Sequence, residues 1–506
     1  MTITNRVTLV AVVGMVFSNG AGCKKPAATA PADSTATAPV AAKVDAGPPP
    51  IVGMEDPFVR LTGDTTKTLN AGYKAMSAKK YDDARTAFAA VVATHPDYAP
   101  ARFQAVKAAA LGGHVADVPA LWRELLARDF VAYVGRLDKP KDLAPLRASP
   151  EWARIKAQEV SIRPAYAADL GKGLFFVARA RDVAMKPGAQ AISKIDLNQE
   201  VYQVDVTSKR YRRLTDTDGR VFAFSLSPGN KALSFLVVAG IAEPSSATPR
   251  FADVSAGVVD LATLETIGPL RLGAPGTKVG AVVLAWSKDG DPVWITRAGP
   301  EPGEDETSYA LDATRTAAVV VSLSGAVPGN RTTATPSSVT TADEVADMVT
   351  VSDDRKSLQI VDEDRTLRAT RALDPTSVRW SPAGKRLAYA GAFDECKGKG
   401  TPAGAKPDKN ELYLWERGKK SAARVAAAPA VFRSAWIDDD RLVYQSGAGK
   451  QARIHVYQPA TRADLVLKSR AGSALWGFGA VICPGAAADV PADDGAGEDG
   501  EYGSEE

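Results

Sequence analysis

The stretch Val378-Arg379-Trp380-Ser381-Pro382-Ala383-Gly384-Lys385-Arg386-Leu387-Ala388-Tyr389-Ala390 decides how this 506-residue chain is read. An apolar run ends in Trp and Ser, a tight turn follows, and a second apolar run leaves it. The phrase returns as FSLSPGNKALSFLV from Phe224, LAWSKDGDPVWIT from Leu284 and VTVSDDRKSLQIV from Val349, and in degenerate form as SAWIDDDRLVYQS from Ser434. Self-similarity on this scale means a fold built from stacked copies of one supersecondary unit. Ser at the first place of the turn, Pro at the second and Gly at the fourth suit a type I turn. The flanking runs suit strands buried between neighbouring sheets.

A second kind of strand lies between the phrases: VYQVDV from Val201, GVVDLAT from Gly257, ELYLWER from Glu411 and RIHVYQP from Arg453. Strand and turn repeated without intervening helices predict small antiparallel sheets arranged radially. Over residues 165–484 the pattern resembles the TolB-like, WD-type β-propeller family, whose hallmark is W-S-P-D-G-K before an apolar strand. Trp380-Ser381-Pro382-Ala383-Gly384-Lys385 and Trp286-Ser287-Lys288-Asp289-Gly290 come nearest to it. The expected fold class is mainly β: a six-bladed propeller, with seven blades as the alternative, preceded by a small α-helical tetratricopeptide-like domain. Ser227, Ser287, Ser352 and Ser381 recur unevenly. The step from Ser352 to Ser381 falls short of the ~40–45 residues of a four-stranded blade, so one blade is trimmed or the Ser352 copy marks none. The long steps imply loop insertions, two of them rich in Pro, Gly, Ser and Thr: PGEDETS from Pro302 and SGAVPGNRTTATPSS from Ser324. Pairing of GLFFVARA (from Gly173) with ALWGFGAVIC (from Ala474) would close the ring and hide both edges.

Residues 62–160 carry helical periodicity. Leu69, Tyr73 and Met76 share one face, and Ala84, Phe88, Val91 and Val92 share a face of a second helix. Lys79-Lys80 separates the two and Pro96 ends the second. Gly72, Tyr81, Ala84, Phe88 and Pro96 stand at the spacing of a tetratricopeptide repeat, which the segment resembles, with Thr68 where that family has Trp. A weaker second copy runs from Ala99 to Asp129 with Trp122 in the large aromatic place, and DLAPLRASPEWARI from Asp142 resembles the packing helix that follows such repeats. Two repeats are fewer than the ~three a solenoid needs, so capping by that helix or by the propeller is expected. The segment serves either as a concave groove for a partner or as a helical spacer packed on the next domain.

Residues 1–22 have a basic start at Arg6 and an apolar run, Val7 to Phe17, before small residues and Cys23. Eleven helical residues rise only ~16 Å, short of the ~30 Å of a hydrocarbon core, and the length suits a secretory signal. Gly20-Ala21-Gly22-Cys23 resembles the bacterial lipobox, departing from it at Gly20, and implies lipidation of Cys23. Ordinary cleavage and a soluble secreted protein is the alternative. Residues 23–60 are expected to be a disordered Ala/Pro-rich tether, and residues 485–506 a disordered acidic tail with eight carboxylates.

The 62 basic and 59 acidic side chains nearly cancel, which gives no case for nucleic acid. Cys396 and Cys483 form a candidate disulfide or stay as two buried thiols, since spacing alone does not fix a bridge. No G-x-S-x-G, P-loop or CxxC occurs. His95 and His114 read as helix-end or turn residues and His455 as a packed strand residue, and the Asp pairs fall in turns. The expectation is therefore a non-enzyme without cofactor or metal: an exported envelope lipoprotein, periplasmic or at the cell surface. It would meet the membrane through its lipid anchor only and bind envelope proteins through propeller and helices. The alternatives are a small-molecule or glycan-binding propeller, or a cryptic hydrolase using the propeller channel.

Overall fold

The structure is a computed structural model that describes residues 51–179, 199–242, 250–287, 289–299, 305–322, 331–335, 338–342, 349–368, 372–373, 377–381, 383–391, 410–428, 433–446, 453–467 and 474–475. Among them seven α-helices come first and mostly β-structure follows. The helices are α1 (Gly63–Ser77), α2 (Tyr81–Thr94), α3 (Ala99–Leu111), α4 (Val118–Arg128), α5 (Phe130–Tyr133), α6 (Ala144–Arg147) and α7 (Glu151–Ala167). Lys79 turns the chain between α1 and α2 with a positive φ of 57°. The two helices meet where Gly72 lies against the Phe88 ring, so closely that a Cβ there would stand 2.7 Å from Phe88 Cε1. Ala is the better helix former by ~1 kcal/mol, yet Gly72→Ala should destabilise the chain by about 1–3 kcal/mol because the fully buried ring has nowhere to go. A second change, Phe88→Leu, should restore part of that loss in a denaturation series. A gain in stability from Gly72→Ala alone would contradict the packing.

The β-region contains six antiparallel sheets among the described residues. The first holds β1 (Leu174–Arg179), β2 (Gln199–Asp205) and β3 (Arg210–Arg213). The second holds β4 (Val221–Leu226), β5 (Ala232–Ala242), β6 (Arg250–Asp260) and β7 (Thr266–Arg271), with β8 (Lys278–Val279) on β6. The third holds β9 (Ala281–Trp286), β10 (Pro292–Arg297), β11 (Thr307–Leu311), β12 (Ala318–Val321), β13 (Arg331–Thr335) and β14 (Ser338–Ala342). The fourth is three-stranded: β15 (Val349–Val351), β16 (Ser357–Ile360) and β17 (Arg365–Arg368). The fifth holds β18 (Arg379–Trp380), β19 (Arg386–Ala390), β20 (Asn410–Glu416) and β21 (Ala423–Ala428). The sixth holds β22 (Arg433–Asp438), β23 (Arg441–Ser446), β24 (Arg453–Gln458) and β25 (Ala463–Leu467). The last strand, β26 (Ala474–Leu475), returns to the first sheet and pairs with β1 at Phe176 and Val177.

The serine turns have one construction. In each, the fourth residue donates its N–H to the serine carbonyl: Asn230 to Ser227, Gly290 to Ser287, Arg355 to Ser352 and Gly384 to Ser381, at 2.7–3.1 Å. That fourth residue has positive φ in all four, a conformation in which Gly is unstrained. The serine hydroxyl reaches past the turn. It accepts from the backbone four or five residues on, as in Ala232 N to Ser227 Oγ (2.8 Å) and Ser357 N to Ser352 Oγ (3.0 Å). The side chain thus clamps the start of the outgoing strand. Asp312, between β11 and β12, builds the same clamp with a carboxylate that accepts from Thr316 N and Ala317 N.

Sheet neighbours share cores. One apolar cluster draws on the sixth, first, second and third sheets, with Val443, Phe176, Phe222 and Trp286 among its members. Another joins the fourth and fifth through Leu358, Leu387 and Trp415, and a third joins the fifth and sixth through Ala390, Leu412, Leu442 and Tyr444. Indoles cross from sheet to sheet: Trp286 Nε1 donates to Ser225 Oγ (3.1 Å), Trp294 Nε1 to Ser234 Oγ (2.8 Å) and Trp436 Nε1 to the Arg379 carbonyl (3.1 Å). Helices α3–α7 are not a free-standing module, since Trp122, Phe130, Ile162 and Tyr166 share one core with Phe175, Phe224 and Phe235 of the first two sheets.

Two expectations need correction. The tether proposed for residues 23–60 does not extend over its last ten residues. Met54 exchanges backbone hydrogen bonds with Tyr211 at 2.9 and 2.7 Å, and Met54 and Phe58 are buried. The Phe58 ring packs edge-on against Tyr202 and Tyr211. The apolar residues of IVGMEDPFV give this piece surface to bury, which the Ala/Pro-rich stretch before it lacks. The Thr-rich insertion after Ser324 is not wholly loop either. Its residues Arg331–Thr335 form β13, paired with β14 and laid along the free edge of β9. Thr has high β-propensity, and an open strand edge supplies hydrogen-bond partners for any extended segment that reaches it.

Candidate functional site

Cys23, Cys396 and Cys483 all lie outside the described residues, so neither lipidation nor the disulfide is addressed by the structure. Among the described residues no group of three His, Cys, Asp or Glu side chains is placed to hold a metal ion. No helix among them is long and apolar enough to cross a membrane. His114 is where a turn residue should be, with Nε2 2.6 Å from Asp82 Oδ1 on the surface.

Two polar constellations stand out, and both are built by strands. The first is an ionic hub between the helices and the first sheet. Asp129, only 1% exposed, begins α5 and accepts from Ala132 N at 3.3 Å. Arg213, at the end of β3, brings Nε to 3.2 Å from Asp129 Oδ2, an ion contact whose angle is not that of a hydrogen bond. Burial holds the Asp129 carboxyl above the usual carboxylate range even against the pull of Arg213. The Arg213 backbone is gripped by Tyr166 of α7, whose hydroxyl accepts from Arg213 N at 2.9 Å and donates to its carbonyl at 3.3 Å. Arg212 Nη1 reaches back to the carbonyls of Tyr166 and Ala168. One strand further, buried Glu200 takes hydrogen bonds from Thr215 Oγ1 (2.5 Å), Thr217 N (2.7 Å) and Gly219 N (2.9 Å). Burial again raises its carboxyl above the ordinary range, with those donors working the other way. The hub fixes α5 and α7 to β2 and β3; every member has a structural partner, and the hub presents no reactive group.

The second constellation lies on the sixth sheet. Strand register places Tyr444 opposite His455, and Val466 opposite His455 on its other side. Ser446 is two residues beyond Tyr444 and Asp464 two before Val466, so side-chain alternation puts Tyr444, Ser446, His455, Asp464 and Val466 on one face. Ser446 Oγ is 2.8 Å from His455 Nε2, and His455 Nδ1 is 3.0 Å from Asp464 Oδ2. Tyr444 OH donates to the same carboxylate oxygen at 2.8 Å. Its ring lies 4.4 Å below the imidazole at an interplanar angle of 9°. Burial, and then Asp464, push the Tyr444 phenol above its ordinary value, so it serves as a donor. An ionised carboxylate only accepts, so Nδ1 carries the proton. In the neutral ring Nε2 then offers its lone pair to the Ser446 hydroxyl.

His455 is thus the packed strand residue the sequence suggests, but its two ring nitrogens are committed. The three polar residues stand nine apart, at 446, 455 and 464. That equal step is one strand and its turn, the only trace of the array in the sequence.

No known protein family and no curated protein matches the chain. Among solved structures it is similar to TolB from Acinetobacter baumannii, at 11% identity and TM-score 0.31 over 64% of this chain and 72% of that one. A putative TolB from Agrobacterium tumefaciens gives 13% identity and TM-score 0.26 over 62% and 93%. The tricorn protease gives 12% identity and TM-score 0.29 over 53% of this chain and 24% of its own length.

Proposed function

We propose that the six sheets are the blades of one closed ring and that the ring, with the helices docked on it, is a protein-interaction scaffold of the bacterial cell envelope. The observation that carries the reading is the pairing of the last strand with the first: β26 on β1 gives the first sheet its fourth strand from the far end of the chain. The cores that join the sixth, first, second and third sheets, the fourth to the fifth, and the fifth to the sixth support the same ring. A body of this kind presents rigid loop surfaces on a stable frame, which suits binding. The export signal and the segment after it support an envelope location, with Cys23 as the lipid-bearing residue and residues 23–50 as the tether. Cys396 and Cys483 remain the candidate disulfide of this compartment.

The test uses the full chain expressed in a bacterium. The wild type should sediment with membranes and Cys23→Ser should move to the soluble fraction. Cross-linking in cells should then capture envelope proteins with the anchored form. Equal sedimentation of both forms would refute the anchor, and cross-linking that captures no envelope protein would refute the scaffold role.

A further inference from the structure

We propose that Ser446, His455 and Asp464 form an acyl-transfer site for small carboxylic esters, with Ser446 as the nucleophile. This goes beyond the scaffold role and does not depend on it. The order of contacts, hydroxyl to Nε2 and Nδ1 to carboxylate at 2.8 and 3.0 Å, is that by which an imidazole takes a proton from an attacking hydroxyl. Two further contacts serve this task. Tyr444 underlies the imidazole plane, which prevents the ring from turning away, and its hydroxyl pins the carboxylate oxygen that Nδ1 uses. A packed histidine needs none of this to fill space, and a solvent-exposed one would not keep both nitrogens in line.

Access and substrate class follow from the same face. The His455 side chain is 14% exposed, Asp464 37%, and Ser446 is partly exposed at the end of β23. Val466, the cross-strand neighbour of His455 on β25, is 51% exposed, so the face that carries the array is open to solvent. The half-exposed Asp464 weakens the electrostatic help to the imidazolium relative to a buried carboxylate, so a readily attacked ester fits better than an amide.

In the step itself the Ser446 Oγ–C bond forms at the ester carbonyl while the Oγ proton passes to His455 Nε2. The carbonyl π electrons move to oxygen and return as the alcohol oxygen leaves, taking the Nε2 proton. Water then attacks the acyl-serine with the same base, releasing the carboxylic acid and restoring the hydroxyl. The balance is ester plus water to acid plus alcohol.

The test is covalent labelling of the folded full chain by a fluorophosphonate, located by peptide mass spectrometry, together with hydrolysis of p-nitrophenyl acetate. Wild type should be labelled at Ser446, and Ser446→Ala should lose that label and the acetate hydrolysis it accounts for. His455→Phe keeps an aromatic ring on Tyr444 but removes the base, so labelling should slow by about 10²–10⁴-fold with thermal unfolding close to wild type. If His455→Phe does not fold, Asp464→Asn carries the same comparison. Absence of label at Ser446 in the folded wild type, or equal labelling without the base, would overturn the proposal and leave the array as a purely structural hydrogen-bond network.

Discussion

Replacing Arg213 with methionine should cost about 3–5 kcal/mol of stability, the range for removing one partner of a buried ion pair. Asp129 has its carboxylate sealed between α5 and β3, and in the variant it keeps only the Ala132 N–H as a close partner. The Arg213 guanidinium also lies 5.8 Å from the Tyr202 ring and 3.5 Å from Asp216, so its loss is felt on both sides of the hub. The loss should depend on pH. Burial already holds the folded Asp129 carboxyl above its unfolded value of 3.8, and removing Arg213 takes away its strongest opposing influence. Between the unfolded value and the folded one, the folded state holds more protons, so stability falls as pH rises through that window. The deficit of the variant should therefore be fullest at neutral pH and shrink as pH is lowered towards 4. Adding Asp129→Leu should recover much of it, because an apolar pair in a dry site needs no counter-charge. Urea unfolding at two pH values reads all three outcomes. A pH-independent loss under 1 kcal/mol would mean that the pair is solvated and the hub is not what holds the helices.

Trp294→Ala should cost about 3–5 kcal/mol, as large aromatic deletions from a packed core do. The indole is fully buried on β10 and belongs to the core that runs through four sheets. Its Nε1 donates to Ser234 Oγ, buried on β5, so the deletion also strands a hydroxyl between sheets. Trp294→Phe separates the two contributions. It keeps most of the ring and should lose about 1–2 kcal/mol for the orphaned hydroxyl and the smaller volume. Adding Ser234→Ala to Trp294→Phe should then restore part of that, because no polar group remains unpaired. If Trp294→Phe were as damaging as Trp294→Ala, shape rather than the hydrogen bond would dominate the join between the second and third sheets.

These two expectations draw on different levels of the molecule. Trp294 and the serine turns were legible from the sequence, since the repeated phrase marked each hairpin and its apolar runs. The helical hairpin of α1 and α2 was legible too, through the spacing of Gly72, Ala84 and Phe88. Asp129 and Arg213 were not. They are separated by α5–α7 and the first two strands, and nothing in either local sequence sets them apart from surface charges. The Thr-rich β13 read as loop because its strand character needs the open edge of β9, a partner that sequence position does not reveal. Ser446, His455 and Asp464 were visible only as residues, because their meeting depends on strand register.

The sequence by itself determined the hairpins, their turns and the helical start of the chain. Those features rest on hydrogen bonds and side-chain periodicity within a few consecutive residues, such as Ser381 clamping Arg386 N. The return of β26 to β1 was also expected from the runs at Gly173 and Ala474; only the tertiary structure decided which sheets share a core and how the helices dock. It alone also placed a hydroxyl, an imidazole and a carboxylate in line on the sixth sheet. A shift of one residue in any of those strands would turn the side chains to the opposite face, and the register that prevents it is fixed by packing across the whole sheet.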